Sequence, residues 1–379
     1  MRKLVNPFAK LARRFSLMTP RTFKKILAPL KTVRLKKAFR LFPVKPATGK
    51  KNIPAPRQQT PTVQQRVATT WPYANLPASI DSTSESRFLT NSYSNHAGRR
   101  SYRLYAPRTA QNGLRPLIVM LHGCTQSAQD FVSGTRMPDI AGEQGCYVAY
   151  PEQSPDANRH GCWNWFKKIN QSSGEGEPSI IAGITQQIIQ DFPIDPARVY
   201  IAGLSAGGAM AVATAYLYPD MFAAVGSHSG LPFGSARNLP AALAVMNTGM
   251  FSRHFDGADN SMRPAIPIIV VHGDQDRTVN PANGEQLIEQ FVYRNGLMSG
   301  AEKTDASSRL GTAPGGRSFS VTTYMSQVGQ RVGEYWQIHG LGHAWSGGSA
   351  AGTYTDPLGP DASREMLRFF LLQKMPVSR

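Results

Sequence analysis

Residues 199–210, Val-Tyr-Ile-Ala-Gly-Leu-Ser-Ala-Gly-Gly-Ala-Met, decide how the chain is read. Val199, Tyr200 and Ile201 predict a strand that ends at Gly203, and the Ala- and Met-rich run Ala206 to Leu217 predicts a helix directly after it. Between them Gly203, Ser205 and Gly207 form a G-x-S-x-G pattern, which alone is weak evidence in a chain holding 34 glycines. Its context carries the meaning. The two glycines leave room for a tight turn that lifts the Ser205 hydroxyl above the sheet edge, with the free N–H groups of the helix start behind it. The bland alternative is a Gly-rich turn with a solvated serine.

On either side, short apolar runs alternate with longer helical stretches. Strands are expected at Ser101 to Ala106, Leu117 to Leu121, Cys146 to Tyr150, Ala223 to Gly226, Ile268 to Val271, Phe319 to Tyr324 and Glu334 to Ile338. Helices are expected at Ile180 to Gln190, Gly284 to Arg294 and Ala362 to Leu372. Such alternation predicts an α/β fold, a mostly parallel sheet covered on both faces, with ligands bound beyond the carboxyl ends of the strands.

A serine hydroxyl needs a base to take its proton and a third group to orient that base. Two carboxylates, Asp274 and Asp276, follow the strand ending at Val271, where an orienting acid must sit. Asp276 is favoured because Asp274 directly follows Gly273 and suits a turn; Asp274 stays open as the alternative. Among eight histidines, His343 lies in a Gly-rich loop between a strand and the last helix. The order Ser205, Asp276, His343 is the nucleophile-acid-base order of α/β hydrolases. His122 and His272 read as braces of turns, His228 and His254 as structural. A developing oxyanion needs N–H donors, for which the loop positions offer Ala206 and Cys124. Cys124 as a nucleophile is set aside, since no base stands near it in sequence.

The charge of +18 at pH 7 is not evenly spread. The first 80 residues hold 18 Lys or Arg and no acid, leaving 24 basic against 24 acidic side chains beyond them. A basic, Pro-containing arm and linker (residues 1–75) thus precedes a neutral catalytic body (80–379). In the arm, Leu4, Phe8, Leu11, Phe15 and Met18 recur at helical spacing, which suits docking of residues 1–40 on an anionic membrane or granule surface, with a solvated tail as the alternative. No specific nucleic-acid motif accompanies the charge. Repeated Lys and Arg interrupt any signal-peptide apolar core, and no apolar run is long enough for a transmembrane helix. Cys124, Cys146 and Cys162 are spaced too widely for a zinc site.

The motifs LHGCTQ (121–126), GCWNWF (161–166), GLSAGGAM (203–210), HGDQDRTV (272–279) and GLGHAWSGG (340–348) together resemble the polyhydroxybutyrate depolymerase-like esterases, relatives of feruloyl and acetylxylan esterases. The resemblance covers about residues 100–372. It implies an α/β-hydrolase fold and a serine esterase without metal or organic cofactor. Ser205 would be the nucleophile, Asp276 the acid, His343 the base, and Cys124 and Ala206 the oxyanion donors. It also implies that Trp163, Trp165 and Trp345 line the substrate cleft, although core anchoring is open for Trp163 and Trp165. The resemblance further implies a Cys124–Cys162 disulfide, leaving Cys146 buried and free, and such a bond would indicate an oxidising compartment. Family members are often secreted, whereas here the basic arm stands where an ordinary signal would be, so an intracellular or granule-associated location is the alternative. No C-terminal substrate-binding domain is expected. The leading ester substrate is poly(3-hydroxyalkanoate) or its oligomers. Aryl or acetyl esters of plant polysaccharides come second, and acyl transfer with the same three residues is the rival class.

Overall fold

Four runs of mostly β-branched and small residues build the centre of the molecule: β3 (Arg115–Leu121), β5 (Ile194–Leu204), β6 (Ala224–His228) and β7 (Ile268–Gly273). Apart from the entry residues of β3 and β5 these strands are buried on both faces, which is why they read as continuous apolar runs rather than alternating ones. The computed structural model describes residues 87–107, 113–249, 266–294, 305–326 and 329–376. The basic arm, the helical face expected in it, the linker and His254 lie outside the described residues.

In full the sheet contains β1 (Arg87–Asn95), β2 (Gly98–Ala106), β3, β4 (Tyr147–Pro151), β5, β6, β7, β8 (Asp305–Thr312), β9 (Ser318–Met325) and β10 (Arg331–Ile338). Its spatial order is β1-β2-β4-β3-β5-β6-β7-β10-β9-β8. Every pairing from β4 through β10 is parallel. Antiparallel strands flank this block, β1 and β2 on one side and β9 and β8 on the other. Helices α1 (Ala128–Thr135), α2 (Met137–Glu143), α3 (Gly176–Asp191), α4 (Ala206–Leu217), α5 (Leu239–Thr248), α6 (Ala282–Arg294) and α7 (Ala362–Leu371) cover the sheet. Of these, α3 and α4 pack on each other and on β5, while α2 and α7 pack on each other. Among the described residues no helix is long and apolar enough to cross a membrane.

All the expected strands and helices form, and several further elements join them. The edge strand β1, RFLTNSYSN, is too polar to announce itself. Helix α1 has only 8 residues, held at its start by Ser127 accepting the Asp130 N–H, and α2 has 7, with Pro138 in its first turn. Helix α5 is capped by Asn238 and likewise carries Pro in its first turn. The pair β11 (Trp345–Ser346) and β12 (Thr355–Asp356) has two residues per strand. Elements this short have no period to detect.

Candidate active site

Ser205 sits between β5 and α4 with φ 57° and ψ −119°, a left-handed backbone that a non-glycine residue holds only when its surroundings compel it. Its N–H donates to the His228 carbonyl at 2.9 Å, and its carbonyl accepts the Ala209 N–H at 2.9 Å. The turn closes because of its glycines. A Cβ at Gly207 would lie 2.1 Å from the Leu121 carbonyl oxygen, and one at Gly203 would lie 2.4 Å from the Gly207 carbonyl carbon. Any side chain there would push α4 off the sheet and move the serine.

The loops after β7 and β10 are joined backbone to backbone. Asp274 N–H donates to Ile338 O at 3.1 Å and Gln275 N–H to Leu341 O at 3.0 Å. This places Asp276 Oδ2 at 2.7 Å from His343 Nδ1, with the carboxylate buried and the imidazole partly exposed. The other carboxylate oxygen accepts the Thr278 and Val279 N–H groups, both at 2.9 Å. Asp274 does something else: it accepts from the Gly340 N–H at 2.8 Å and pairs with His339 Nδ1 at 3.0 Å. Burial alone would raise the Asp276 carboxyl. Its bonds with His272 and His343 outweigh burial and hold it well below the usual carboxylate range.

His272, expected only to brace its turn, is fully buried with Nε2 at 3.0 Å from Val279 O and 3.4 Å from Asp276 Oδ2. His228 joins the Ser205 turn to the loop carrying His343. Its carbonyl takes the Ser205 N–H, its Nε2 accepts the Ser346 N–H at 3.0 Å, and its ring stacks on Trp345 at 5.1 Å. No hydrogen bond joins the Ser205 hydroxyl to His343 among the described residues. Contacts of this kind are commonly long in unliganded enzymes and tighten around the reacting substrate.

Two of the buried histidines predict an acid-labile fold. Burial pushes His122 down to about 4 against the opposing bond to Gly123 O. Burial, followed by repulsion from His272 and His343, takes His228 down to about 3. In the unfolded chain each titrates near 6.5, so below that pH the unfolded state binds more protons. Their contribution is complete above about pH 6.5 and is lost as the pH falls towards their folded values. Below about pH 4 the depressed Asp276 adds a loss of the same sign. Tm measured from pH 8 to pH 4 is expected to hold level and then fall below pH ~6.5; a Tm that rises on acidification contradicts this.

The loop after β3 faces the serine turn. Neither the Cys124 N–H nor the Ala206 N–H has an acceptor among the described residues. Cys124 is bonded to Cys162, with Cα atoms 4.2 Å apart, and Cys146 is free and buried. Sequence reading missed Gln126, whose Oε1 accepts the Gly123 N–H at 2.9 Å and whose Nε2 donates to Asp130 Oδ2 at 2.9 Å. Its Nε2 also donates to the Thr353 carbonyl at 3.0 Å, a contact 227 residues away that only the fold makes and that nothing local marks.

Residues 100–312 match the sequence profile of the family described as Esterase PHB depolymerase, more than half of the chain. The chain belongs to the PHB depolymerase esterase family. It is 32% identical over 251 residues to poly(3-hydroxyalkanoate) depolymerase C of Paucimonas lemoignei, covering 64% of this chain and 56% of that protein. It is 27% identical to poly(3-hydroxybutyrate) depolymerase of Ralstonia pickettii, covering 64% of this chain and 50% of that protein. It thus spans about half the length of these two curated relatives. Feruloyl esterase B of Thermothelomyces thermophilus is 31% identical over 46% of this chain and 64% of that protein. Among solved structures, acetyl xylan esterase from Aspergillus awamori superposes with a TM-score of 0.59 at 18% identity, covering 76% of this chain and 99% of that one. That likeness establishes the α/β-hydrolase fold.

In this PHB depolymerase-family chain the tryptophans correct one expectation. Trp163 and Trp345 retain 0% and 1% of their surface, so neither offers a ring to a bound substrate. Trp345 is anchored instead by His228, by the edge of Phe131 at 5.4 Å and by its Nε1 donating to Ser363 Oγ at 3.1 Å. Trp163 packs in the core beside His122. Trp165 keeps 6% of its surface and packs edge-on against Phe166. An indole beside these motifs fits a cleft or a core equally well by sequence, and here the apolar interior takes them. Among the described residues no group of three His, Cys, Asp or Glu side chains is placed to hold a metal ion.

The segment carrying Cys162, Trp163 and Trp165 hangs on one buried carboxylate. Glu177 Oε1 accepts from Arg100 at 3.2 Å, from Gln153 Nε2 at 2.7 Å and from Asn164 Nδ2 at 2.7 Å, while Oε2 accepts the Asn164 N–H at 2.7 Å. Removing one partner of a buried pair leaves an uncompensated charge, so Glu177→Ala is expected to cost about 3–5 kcal/mol in urea unfolding. A loss under about 1 kcal/mol, the scale of a solvent-exposed pair, would contradict it.

Proposed function

We propose that this chain is a carboxylic-ester hydrolase working through an acyl-enzyme, with Ser205 as nucleophile. The observation carrying the reading is the 2.7 Å contact of buried Asp276 with His343, on a loop tied through His228 to the strained serine turn. His343 Nδ1–H donates to the carboxylate, leaving Nε2 unprotonated to take the Ser205 proton as Oγ attacks the ester carbonyl carbon. The carbonyl oxygen becomes an oxyanion and is met by the unpaired Cys124 and Ala206 N–H groups. The imidazolium returns the proton to the leaving alcohol. Water, deprotonated by the same histidine, then attacks the acyl-serine, releasing acid and free serine.

The substrate class is poly(3-hydroxyalkanoate) or its oligomers, supported by the family match and by the two bacterial depolymerases. The Cys124–Cys162 bond supports folding in an oxidising compartment. The basic residues of the first 40 positions give the chain an electrostatic means of docking on an anionic granule or membrane surface. Assigning the chemistry calls for a fluorophosphonate and peptide mass mapping. A single phosphonyl adduct on Ser205, with loss of p-nitrophenyl butyrate hydrolysis, is the expected result; full labelling elsewhere, or activity surviving full labelling, would overturn it. Faster hydrolysis of methyl ferulate than of 3-hydroxybutyrate oligomers would move the substrate to the feruloyl esterase side of the family.

A further inference from the structure

The loop between β11 and β12 returns from the base side of the site to the oxyanion side. The carbonyl of Tyr354 accepts the Trp345 N–H at 2.7 Å, two residues beyond His343. Next to it, Thr353 N–H donates to Asp130 Oδ1 at 2.9 Å, and the Thr353 carbonyl accepts from Gln126 Nε2 at 3.0 Å. Asp356 at the loop's far end is gripped by both arms of Arg317, at 3.0 and 2.5 Å. A bidentate pair of this kind fixes geometry as well as charge.

One contact reaches the oxyanion loop itself. Thr125 Oγ1 donates to the Cys124 carbonyl at 2.6 Å, so its lone pairs remain to accept from the Tyr354 hydroxyl, 3.1 Å away. Thr125 and Tyr354 both hold left-handed backbones, φ 66° and 52°. For a β-branched or bulky side chain that conformation persists only where surrounding contacts enforce it. Tyr354 is 38% exposed, so core packing is not what enforces it.

The consequence falls on Cys124. Thr125 N–H donates to His160 O at 2.8 Å, so the Cys124–Thr125 peptide is held at both its carbonyl and its N–H. Gly123 N–H is held by Gln126, and the Cys124 side chain by its disulfide. The peptide that carries the Cys124 N–H is held directly too, its Gly123 carbonyl accepting the Gln126 N–H at 3.3 Å and lying 2.8 Å from His122 Nδ1, so the direction of the Cys124 N–H is set by these bonds together with the flanking contacts. Releasing Thr125 frees the peptide on one side.

We infer that Tyr354 is a positioning residue of the oxyanion hole: its hydroxyl holds Thr125, and through Thr125 it aims the Cys124 N–H at the developing oxyanion. The inference rests on the ester-hydrolase reading, in which that N–H is an oxyanion donor. Removing an oxyanion donor outright costs about 10²–10³ in kcat, so loosening one is expected to cost less, about tenfold.

The test uses the full chain and p-nitrophenyl butyrate, with Tyr354→Phe, Thr125→Val, Thr125→Ser and the Phe/Val double variant. Tyr354→Phe and Thr125→Val are each expected to lower kcat about tenfold with KM within about twofold, a signature of interaction gained only in the transition state. The double variant should lose no more than either single, and Thr125→Ser should recover most of the loss, because one hydroxyl chain is being broken. The inhibition constant of a trifluoromethyl ketone, whose hemiketal oxyanion uses the same donors, should rise by the same factor as kcat falls. A purely structural role would lower Tm without that match. Wild-type kcat in Tyr354→Phe, additive losses, or a change confined to KM with unchanged ketone affinity each overturns the inference. If wild type itself hydrolyses no ester, the ester-hydrolase reading falls first and this one with it.

Discussion

Ser205→Ala is expected to lower kcat on p-nitrophenyl butyrate by about 10⁶-fold, the scale seen when a triad serine is removed, while leaving the protein folded. The fold should survive because among the described residues the Ser205 hydroxyl makes no hydrogen bond; the turn is held by the backbone bonds to His228 and Ala209 and by close approach at Gly203 and Gly207. Alanine keeps the Cβ, so the left-handed backbone at φ 57° is no harder to hold. An unchanged circular dichroism spectrum beside lost turnover is the expected pair of results. Activity within tenfold of wild type would remove Ser205 from the chemistry.

Asp276→Asn is expected to cost about 10⁴-fold in kcat, through the wrong histidine tautomer rather than through misfolding. One carboxylate oxygen must go on accepting from Thr278 and Val279, so the amide oxygen takes that side. The amide NH₂ then faces His343 Nδ1, which has to accept instead of donate. The ring proton moves to Nε2, the atom that has to receive the serine proton. Asp274→Asn, whose carboxylate bonds to His339 and Gly340 among the described residues, is expected to stay within about threefold of wild type, the modest range of changes at exposed pairs. Comparable losses in the two variants, measured as kcat at saturating substrate, would contradict the assignment.

What could be read in advance follows from how local each signal is. The strand running to Gly203, the glycines around Ser205 and the helix from Ala206 are contiguous, so the turn was legible from sequence. The order of Ser205, Asp276 and His343 was legible because each follows a recognisable strand. The choice between Asp274 and Asp276 was favoured but not fixed by sequence, since both lie in one turn. It rests on the backbone bonds from Asp274 to Ile338 and Gln275 to Leu341, about 65 residues apart. The burial of Trp345 depends in the same way on Phe131, His228 and Ser363, which no motif links to it. Least legible was the loop carrying Thr353 and Tyr354. Its sequence is small and polar, its strands are two residues long, and its partners, Gln126 and Asp130, lie over 220 residues away.

Release of soluble 3-hydroxybutyrate from amorphous poly(3-hydroxybutyrate) tests most directly whether the proposed site cleaves the ester bonds of poly(3-hydroxyalkanoate). Wild type is expected to release monomer and short oligomers steadily, and Ser205→Ala none above buffer. Equal release by both proteins, or no release by a wild type that hydrolyses p-nitrophenyl butyrate, would contradict the account.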